Sequence, residues 1–171
     1  ISQPTDTHSP LRDVAHWSAG LLIDYIIEVH HRYVRESIPK LKGLLEKTCL
    51  AHGAEHPELM KIRDTFQILA LELEEHLEKE EKILFPEIRY TTPDRHASLQ
   101  IVLEDIDDEH REAGNLIKSI RQLTHEYTVP EDACTTYTLA FKKLEEFERD
   151  LMQHIHLENN VLLKKISQTL D

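Results

Sequence analysis

The sequence predicts an all-α protein, folded as an up-down-up-down four-helix bundle. Glycine is scarce, with four residues in 171, while 40% of the residues are hydrophobic. The long segments are rich in Leu, Glu, Lys and Ala, which lose little conformational freedom in a helix. Their apolar residues recur at three- and four-residue steps, the spacing of one helix face. A chain of this length is expected to form one domain with a substantial core.

Residues 1–17 are predicted to be a linker or N-terminal extension, because they are rich in Pro, Ser and Thr. The bundle is expected to occupy residues 18–171. The chain starts at Ile1 and not at Met, which leaves two alternatives open: a segment upstream has been removed, or the protein works without one.

The first helix is predicted to run from Ser18, which suits the N-cap, to about Lys47, with a bend at Pro39. Its apolar stripe includes Ile27 and is interrupted at its centre by His31. A polar residue therefore takes a place on the first helix where a core residue is expected.

The second helix is predicted from about Pro57, in its first turn, to Ile88. Its stripe carries His76 and Glu80 and continues at Ile83. The other charged residues of the EKEEK segment, residues 78–82, are expected to face solvent.

The third helix is predicted from a cap at Thr92 to about Tyr127, and its stripe contains His110. The fourth helix is predicted to open near the VPEDA segment. Its stripe contains His154 and Glu158 and continues at Val161. Each helix thus has a histidine on its core face, and two helices add a glutamate one turn later.

These six side chains are expected to converge in the middle of the bundle, because the helices alternate in direction and rise about 1.5 Å per residue. Burying two carboxylates costs several kcal/mol or more unless a cation compensates their charge. No Lys or Arg lies mid-stripe, and Lys165 falls near the end of the last helix. The set therefore predicts two bound metal ions.

Mixed nitrogen and oxygen donors suit iron, with manganese and zinc as alternatives. The predicted ligands are His31, His76, Glu80, His110, His154 and Glu158.

Other polar residues receive simpler interpretations. Glu72 and Glu109 lie near the ligand faces, and two interpretations are open. They support a ligand or form a polar path for ions, or they are ordinary solvated helix residues. Cys49 and Cys134 have no metal-ligand spacing, which favours unpaired thiols in a reducing cytoplasm. The remaining histidines are expected to face solvent, namely His8, His16, His30, His56, His96, His125 and His156.

Composition also excludes several classes of partner. A net charge of -12, without clustered Lys and Arg, disfavours nucleic-acid binding. The apolar runs are broken by charges every few residues, so no segment is expected to cross a membrane. No signal peptide is evident.

Five segments, IDYIIEVHHRYVRESIP, EEHLEKEEKILFPEI, EDIDDEHREAG, EDACTTY and DLMQHIHLENNVL, resemble the hemerythrin-like di-iron bundles. More closely, they resemble the iron-sulfur cluster repair di-iron proteins, from about Leu21 onward. The resemblance implies two iron ions in an oxo- and carboxylate-bridged centre held by the same six residues. It also implies a cytoplasmic bacterial protein that restores iron-sulfur clusters damaged by nitric oxide or peroxide.

The partners implied by this resemblance are damaged iron-sulfur proteins and small oxidants, namely nitric oxide, oxygen and peroxide. A homodimer is a further open alternative. So is a hemerythrin-like oxygen- or redox-binding or sensing role. The residues leave open whether the chain is an enzyme, and whether repair means iron donation or nitric oxide chemistry.

The sequence departs from the family pattern in three respects. The family places a histidine at His52, which lies about 30 Å along a continuous helix from His31 and is expected to stay in a loop, away from the metals. Oxygen carriers have a second histidine one turn from His110, where this chain has Ile106 and Gly114. This favours open coordination. The N-terminal cysteine module of the repair proteins is absent from this sequence.

Overall fold

The computed structural model describes residues 14–90, 92 and 95–170, and these residues form four long helical rods. Short connections reverse the chain between rods, and the described residues contain no strand. The predicted all-α four-helix bundle is confirmed. Residues 1–13 of the predicted linker lie outside the described part, whereas Val14 is already buried in the core.

Three of the four rods contain a short π-helical turn between two α-helices. A 3₁₀ turn at Val14–His16 precedes the first rod, which consists of α1 (Ala19–Tyr25), the first π turn (Ile26–His31) and α2 (Arg32–His52). The second rod consists of α3 (Glu58–Lys79), the second π turn (Glu80–Leu84) and α4 (Phe85–Tyr90). The third rod is α5 (His96–Leu123), and the fourth consists of α6 (Thr135–Leu157), the third π turn (Glu158–Leu162) and α7 (Leu163–Leu170).

Each rod packs against two others. The helix α2 contacts both α3 and α6, α3 also contacts α5, and α5 contacts α6. Within the described residues, no helix is both long enough and apolar enough to span a membrane.

The start of the first rod follows the prediction, but its end does not. Ser18 caps α1, and its hydroxyl accepts a hydrogen bond from the amide of Leu21 at 3.2 Å. The rod continues past Lys47 to His52, and Pro39 lies inside α2 without ending it. Packing of the α2 stripe against its neighbours outweighs the one backbone hydrogen bond that proline cannot donate.

The start of the third rod was predicted too early. The helix α5 begins at His96 with Arg95 in the cap position. Thr92 does not cap it, and its carbonyl instead accepts a hydrogen bond from the Arg95 amide at 2.9 Å.

The third rod ends at Leu123, before the predicted end at Tyr127. Residues 125–127 all have left-handed backbones, with φ between 49 and 60 degrees, a conformation that disfavours helix continuation. The turn directs the Tyr127 side chain into the core, where its hydroxyl donates to Glu148. The same carboxylate accepts from Arg121 at 2.6 and 2.9 Å. This polar network joins the turn to α6.

The apolar interior is divided into two clusters by a polar layer. The larger cluster fills the space among α2, α3, α6 and the second half of α5. The smaller one joins α1, α4, the third π turn, α7 and the first half of α5. Along the third rod, Ile106 belongs to the smaller cluster and Ala113 to the larger, with His110 between them. The predicted polar residues therefore lie at the boundary of two cores.

We expect that replacing Tyr127 with Phe lowers the free energy of unfolding by about 1–3 kcal/mol, because the buried Glu148 carboxylate loses a hydrogen-bond donor. Urea unfolding of the two proteins measures the difference. Tyr90, which is 75% exposed, provides a matched control, and Tyr90→Phe should change stability little. Equal midpoints for Tyr127→Phe and wild type would contradict the structural role of this network.

Candidate metal centre

The structure brings all six predicted ligands together in the polar layer. Each is at most 5% exposed. Their donor atoms form two groups, and within each group all of them lie within 4.8 Å of one another. We call these groups the His31/His154 half-site and the His76/His110 half-site, and both include Glu80 and Glu158.

Each shared carboxylate reaches an imidazole of both half-sites. The two oxygens of Glu80 lie 3.2 Å from Nε2 of His31 and 3.3 Å from Nε2 of His76. Those of Glu158 lie 3.0 Å from Nε2 of His110 and 3.0 Å from Nε2 of His154. Two carboxylates thus stand between two pairs of imidazoles, an arrangement that allows both to bridge a pair of ions.

The π turns put these residues in place. The second and third π turns begin at Glu80 and Glu158, and the first ends at His31. A π turn winds more residues per turn than an α-helix, so the stripe that follows shifts its phase. Single π turns of this kind are frequent at functional sites.

This phase shift makes one predicted core position wrong and moves two others to the edge of the core. Ile83 is 49% exposed, and Leu84 takes its place at 1% exposure. Ile27 and Val161 are only partly buried against the smaller cluster, while their neighbours Ile26 and Leu162 are fully buried. Regular helix periodicity therefore slips by one residue where a π turn interrupts the helix.

The unpaired atoms of the layer test whether metal ions fit. Among the described residues, buried side-chain atoms without a hydrogen-bond partner include Nε2 of His31, both oxygens of Glu80 and Oε2 of Glu158. Each such group costs about 1–3 kcal/mol if nothing compensates it. Imidazole nitrogens and carboxylate oxygens together are the donors that first-row transition metals bind. The residues therefore fit a metal centre.

Without an ion, protons on the imidazoles of His76 and His110 balance the buried carboxylates. Burial and the Glu158 charge favour the neutral form of Glu80, but the neighbouring imidazoles of His76 and His31 outweigh them and lower its pKa. Burial is likewise outweighed at Glu158, where His154 and His110 hold the pKa well below its usual value.

The imidazoles show the complementary shift. Burial alone would lower the pKa of His76, but the Glu80 charge overcomes it and raises the pKa to about 9. Burial is also outweighed at His110, where Glu158 raises the pKa. The ion-free site therefore stores protons that a metal ion has to displace.

In three of the four imidazoles, Nδ1 donates a hydrogen bond to a side-chain oxygen, which leaves Nε2 turned toward the centre. Their acceptors are Glu81 for His31 at 2.7 Å, Glu109 for His76 at 2.6 Å, and Asn159 for His110 at 2.9 Å. Glu109 was expected either to support a ligand or to be a solvated helix residue, and its contact with His76 agrees with the first. Glu81, assigned with its EKEEK neighbours to solvent, was predicted wrongly, and Asn159 was missed. Both directly follow a shared glutamate in the sequence, which is the one signal that could have found them.

A cavity of about 150 Å³ reaches the layer from one side. It is lined by His76, His110 and His154 and has several glutamates around it, among them Glu72 and Glu112. Burial, followed by the charge of Glu112, raises the pKa of Glu72. The cavity is therefore an acidic approach to the candidate centre.

The remaining histidines are placed as follows. His52 was predicted to lie in a loop but is the last residue of α2; its ring lies 5.3 Å from that of Tyr137, and it belongs to neither half-site. His30 was predicted wrongly, because it is 1% exposed and its ring stacks on His154. His56 is only partly exposed and pairs with Asp132 at 2.9 Å. His96 is also half-buried, His8 lies outside the described residues, and the exposed ones are His16, His125 and His156.

Comparison with known proteins agrees with this geometry. Residues 22–166 match the hemerythrin HHE cation binding domain. The chain belongs to the hemerythrin HHE family. The matched range includes all six predicted ligands, and the family predicted from the sequence is confirmed. A hemerythrin HHE domain binds metal cations, and in this chain the buried His and Glu clusters are the candidate place for them.

Three relatives of this hemerythrin HHE chain carry names that refer to iron-sulfur clusters. The iron-sulfur cluster repair protein ScdA of Staphylococcus epidermidis is 36% identical over 147 residues, covering 85% of this chain and 66% of that protein. A probable iron-sulfur cluster repair protein of Haemophilus influenzae is 37% identical over 145 residues, covering 85% and 64%. The iron-sulfur cluster repair protein YtfE of Yersinia pseudotuberculosis is 35% identical over 144 residues, covering 84% and 64%. The chain thus spans slightly less than two-thirds of these relatives.

We expect that Glu81→Ala weakens binding of a divalent metal ion by about 10- to 100-fold, because His31 loses the acceptor that orients its ring. Chelator competition measures the dissociation constant. The control is Glu78→Ala, which removes an exposed carboxylate that pairs with Lys82 in the same EKEEK segment. An unchanged dissociation constant for Glu81→Ala would argue against a supporting role.

We also expect metal binding at pH 7 to release about one proton from His76, with a further contribution from His110. The pKa of His76 is raised to about 9 in the ion-free site, so its imidazole carries a proton at pH 7 that a metal ion must displace. Affinity should therefore rise from pH 7 to pH 9 and level off above. Titration calorimetry in two buffers with different protonation enthalpies counts the protons, and a count of zero would contradict this picture.

Proposed function

We propose that this hemerythrin HHE chain holds two iron ions and takes part in the repair of iron-sulfur clusters damaged by nitric oxide or oxidants. The observation that carries the proposal is the pair of half-sites, which share two buried glutamates and contain two imidazoles each. The names of the relatives, which are iron-sulfur cluster repair proteins, supply the direction of the function.

The proposed ligands are His31 and His154 for one ion and His76 and His110 for the other, with Glu80 and Glu158 bridging, as the pairing of oxygens and imidazoles supports. When bound, the iron pair would supply electrons and binding positions for small oxidants, and a source of exchangeable iron. Four donors from the chain per ion leave positions open for exchangeable ligands.

The chain contributes binding, orientation and control of access. Glu81, Glu109 and Asn159 fix three imidazole rings. The acidic cavity that ends at His76, His110 and His154 attracts cations, which suits passage of a ferrous ion toward a damaged cluster. Iron donation is therefore the repair route that the described residues favour.

An oxygen- or redox-binding role is the second candidate. The observation that favours it is the same cavity, because about 150 Å³ is enough space for nitric oxide, oxygen or peroxide beside the imidazoles. The buried Ile106 lies where the oxygen carriers have their additional histidine, so the site differs from theirs.

We further propose damaged iron-sulfur proteins as partners and the cytoplasm as the location. The two described cysteines, Cys49 and Cys134, are both free thiols, which is consistent with a reducing compartment.

We expect the double variant His76→Ala/His154→Ala to lose both iron ions, and with them the visible absorbance that the loaded protein gains on oxidation by oxygen, because each half-site loses an imidazole. Metal analysis of protein loaded anaerobically with ferrous iron gives the stoichiometry. His16→Ala/His156→Ala, which removes two exposed histidines, is the matched control and should retain two ions per chain. Two ions in the first double variant would overturn the proposed ligand set.

The repair role is tested separately with an iron-sulfur enzyme inactivated by nitric oxide. Iron-loaded protein should restore its activity, while ion-free protein and the double variant should not. Reversible oxygen binding without any reactivation would favour the second candidate instead.

A further inference from the structure

His154 differs from the other three imidazoles of the candidate centre. Nδ1 of His31, His76 and His110 each donates to a side-chain oxygen, whereas Nδ1 of His154 is buried without a hydrogen-bond partner. Such a partner normally fixes the orientation of a metal-binding ring. Something else must hold the ring of His154.

The ring of His30 stacks against the ring of His154 instead. It lies parallel to the His154 ring, with an interplanar angle of 7 degrees and 5.5 Å between ring centroids. His30 is only 1% exposed, like His154 itself. Successive residues of an α-helix point about 100 degrees apart, yet the first π turn, Ile26–His31, allows both His30 and His31 to face inward.

His30 is itself fixed from two sides. Its Nδ1 donates to Oδ1 of Asp150 at 3.0 Å, and Asp150 lies one helical turn before His154 on α6. The edge of the Tyr25 ring packs against it, with centroids 5.7 Å apart and planes at 75 degrees. The pair therefore joins the first rod to the fourth directly beside His154.

We propose that His30 and Asp150 form a positioning pair for His154, and that this pair sets how firmly the His31/His154 half-site holds its ion. His30 belongs to neither four-residue group, so it acts through the stacked ring of His154 and not as a ligand. Stacking limits the rotation that a ring without an Nδ1 anchor would otherwise have, and a misplaced Nε2 weakens ion binding. The inference rests on the proposed function, since it assumes that the half-site holds an ion.

The experiment follows release of ferrous iron from the loaded protein to a chelator, which counts the ions leaving in each kinetic phase. His30→Ala should speed the release of one ion per chain by about 10- to 100-fold and leave the other unchanged. His30→Phe keeps a stacked ring but loses the Asp150 anchor, so its release rate should lie between wild type and His30→Ala. The absorption spectrum of the loaded protein should shift in the same order.

The matched control is His56→Ala, which removes the same kind of His–Asp pair at Asp132. His56 lies next to the start of α3, and Glu58 at that start is about 27 Å along the helix from His76. Release of both ions should stay as in wild type. A variant that only loosens the core would speed both ions alike.

The outcomes separate the two proposals. If wild type holds two ions and His30→Ala releases both faster by the same factor, or neither faster, the positioning role is overturned while the proposed function stands. If wild type holds no iron, the proposed function fails and the positioning role fails with it. Should His30→Ala lose its helical circular dichroism, Asp150→Asn decides the matter. It keeps the size of Asp150 but removes the charge that strengthens the hydrogen bond from His30, so it should speed release of one ion per chain several-fold; unchanged release would then overturn the proposal.

Discussion

The structure depends on the burial of two carboxylates in the middle of an apolar bundle. Glu80 and Glu158 are at most 1% exposed, and taking such charges out of water costs several kcal/mol each unless positive charge accompanies them. Four imidazoles surround them, and the carboxylates raise the pKa of two of these, His76 and His110, which favours protons there when no ion is bound. Protons in the ion-free site and metal ions in the proposed centre would thus compensate the same two negative charges. Binding of an ion therefore displaces protons.

The backbone adapts to this layer through its three π turns. In a regular α-helix, the residues that follow Glu80 and Glu158 would bury the wrong side chains on the far side of the layer. The π turns shift the phase, so that Leu84 and Leu162 enter the smaller apolar cluster while the polar groups remain in register. A site of six inward polar residues is therefore compatible with continuous packing above and below it.

The two half-sites are supported differently. The His76/His110 half-site has an Nδ1 anchor on each ring and borders the acidic cavity. The His31/His154 half-site has one anchor, at Glu81, and the stacked ring of His30. Unequal support of the two half-sites is consistent with the proposed route of iron donation, in which one of the two proposed ions would be given up.

The sequence by itself determined the helical class, the four rods and the six side chains of the layer, because His and Glu at positions meant for Leu or Ile break a stripe visibly. Only the tertiary structure decided which groups support them. Glu81, Asn159 and His30 lie one residue away from a predicted ligand, where helix periodicity assigns them to another face. Their inward placement follows from the π turns, and a π turn is stabilised by packing between rods and by the charge of the layer, not by local propensity. For the same reason the predicted stripes hold in the regular helices, as at Ile106, but slip by one residue in the π turns, as at Ile83 and Leu84.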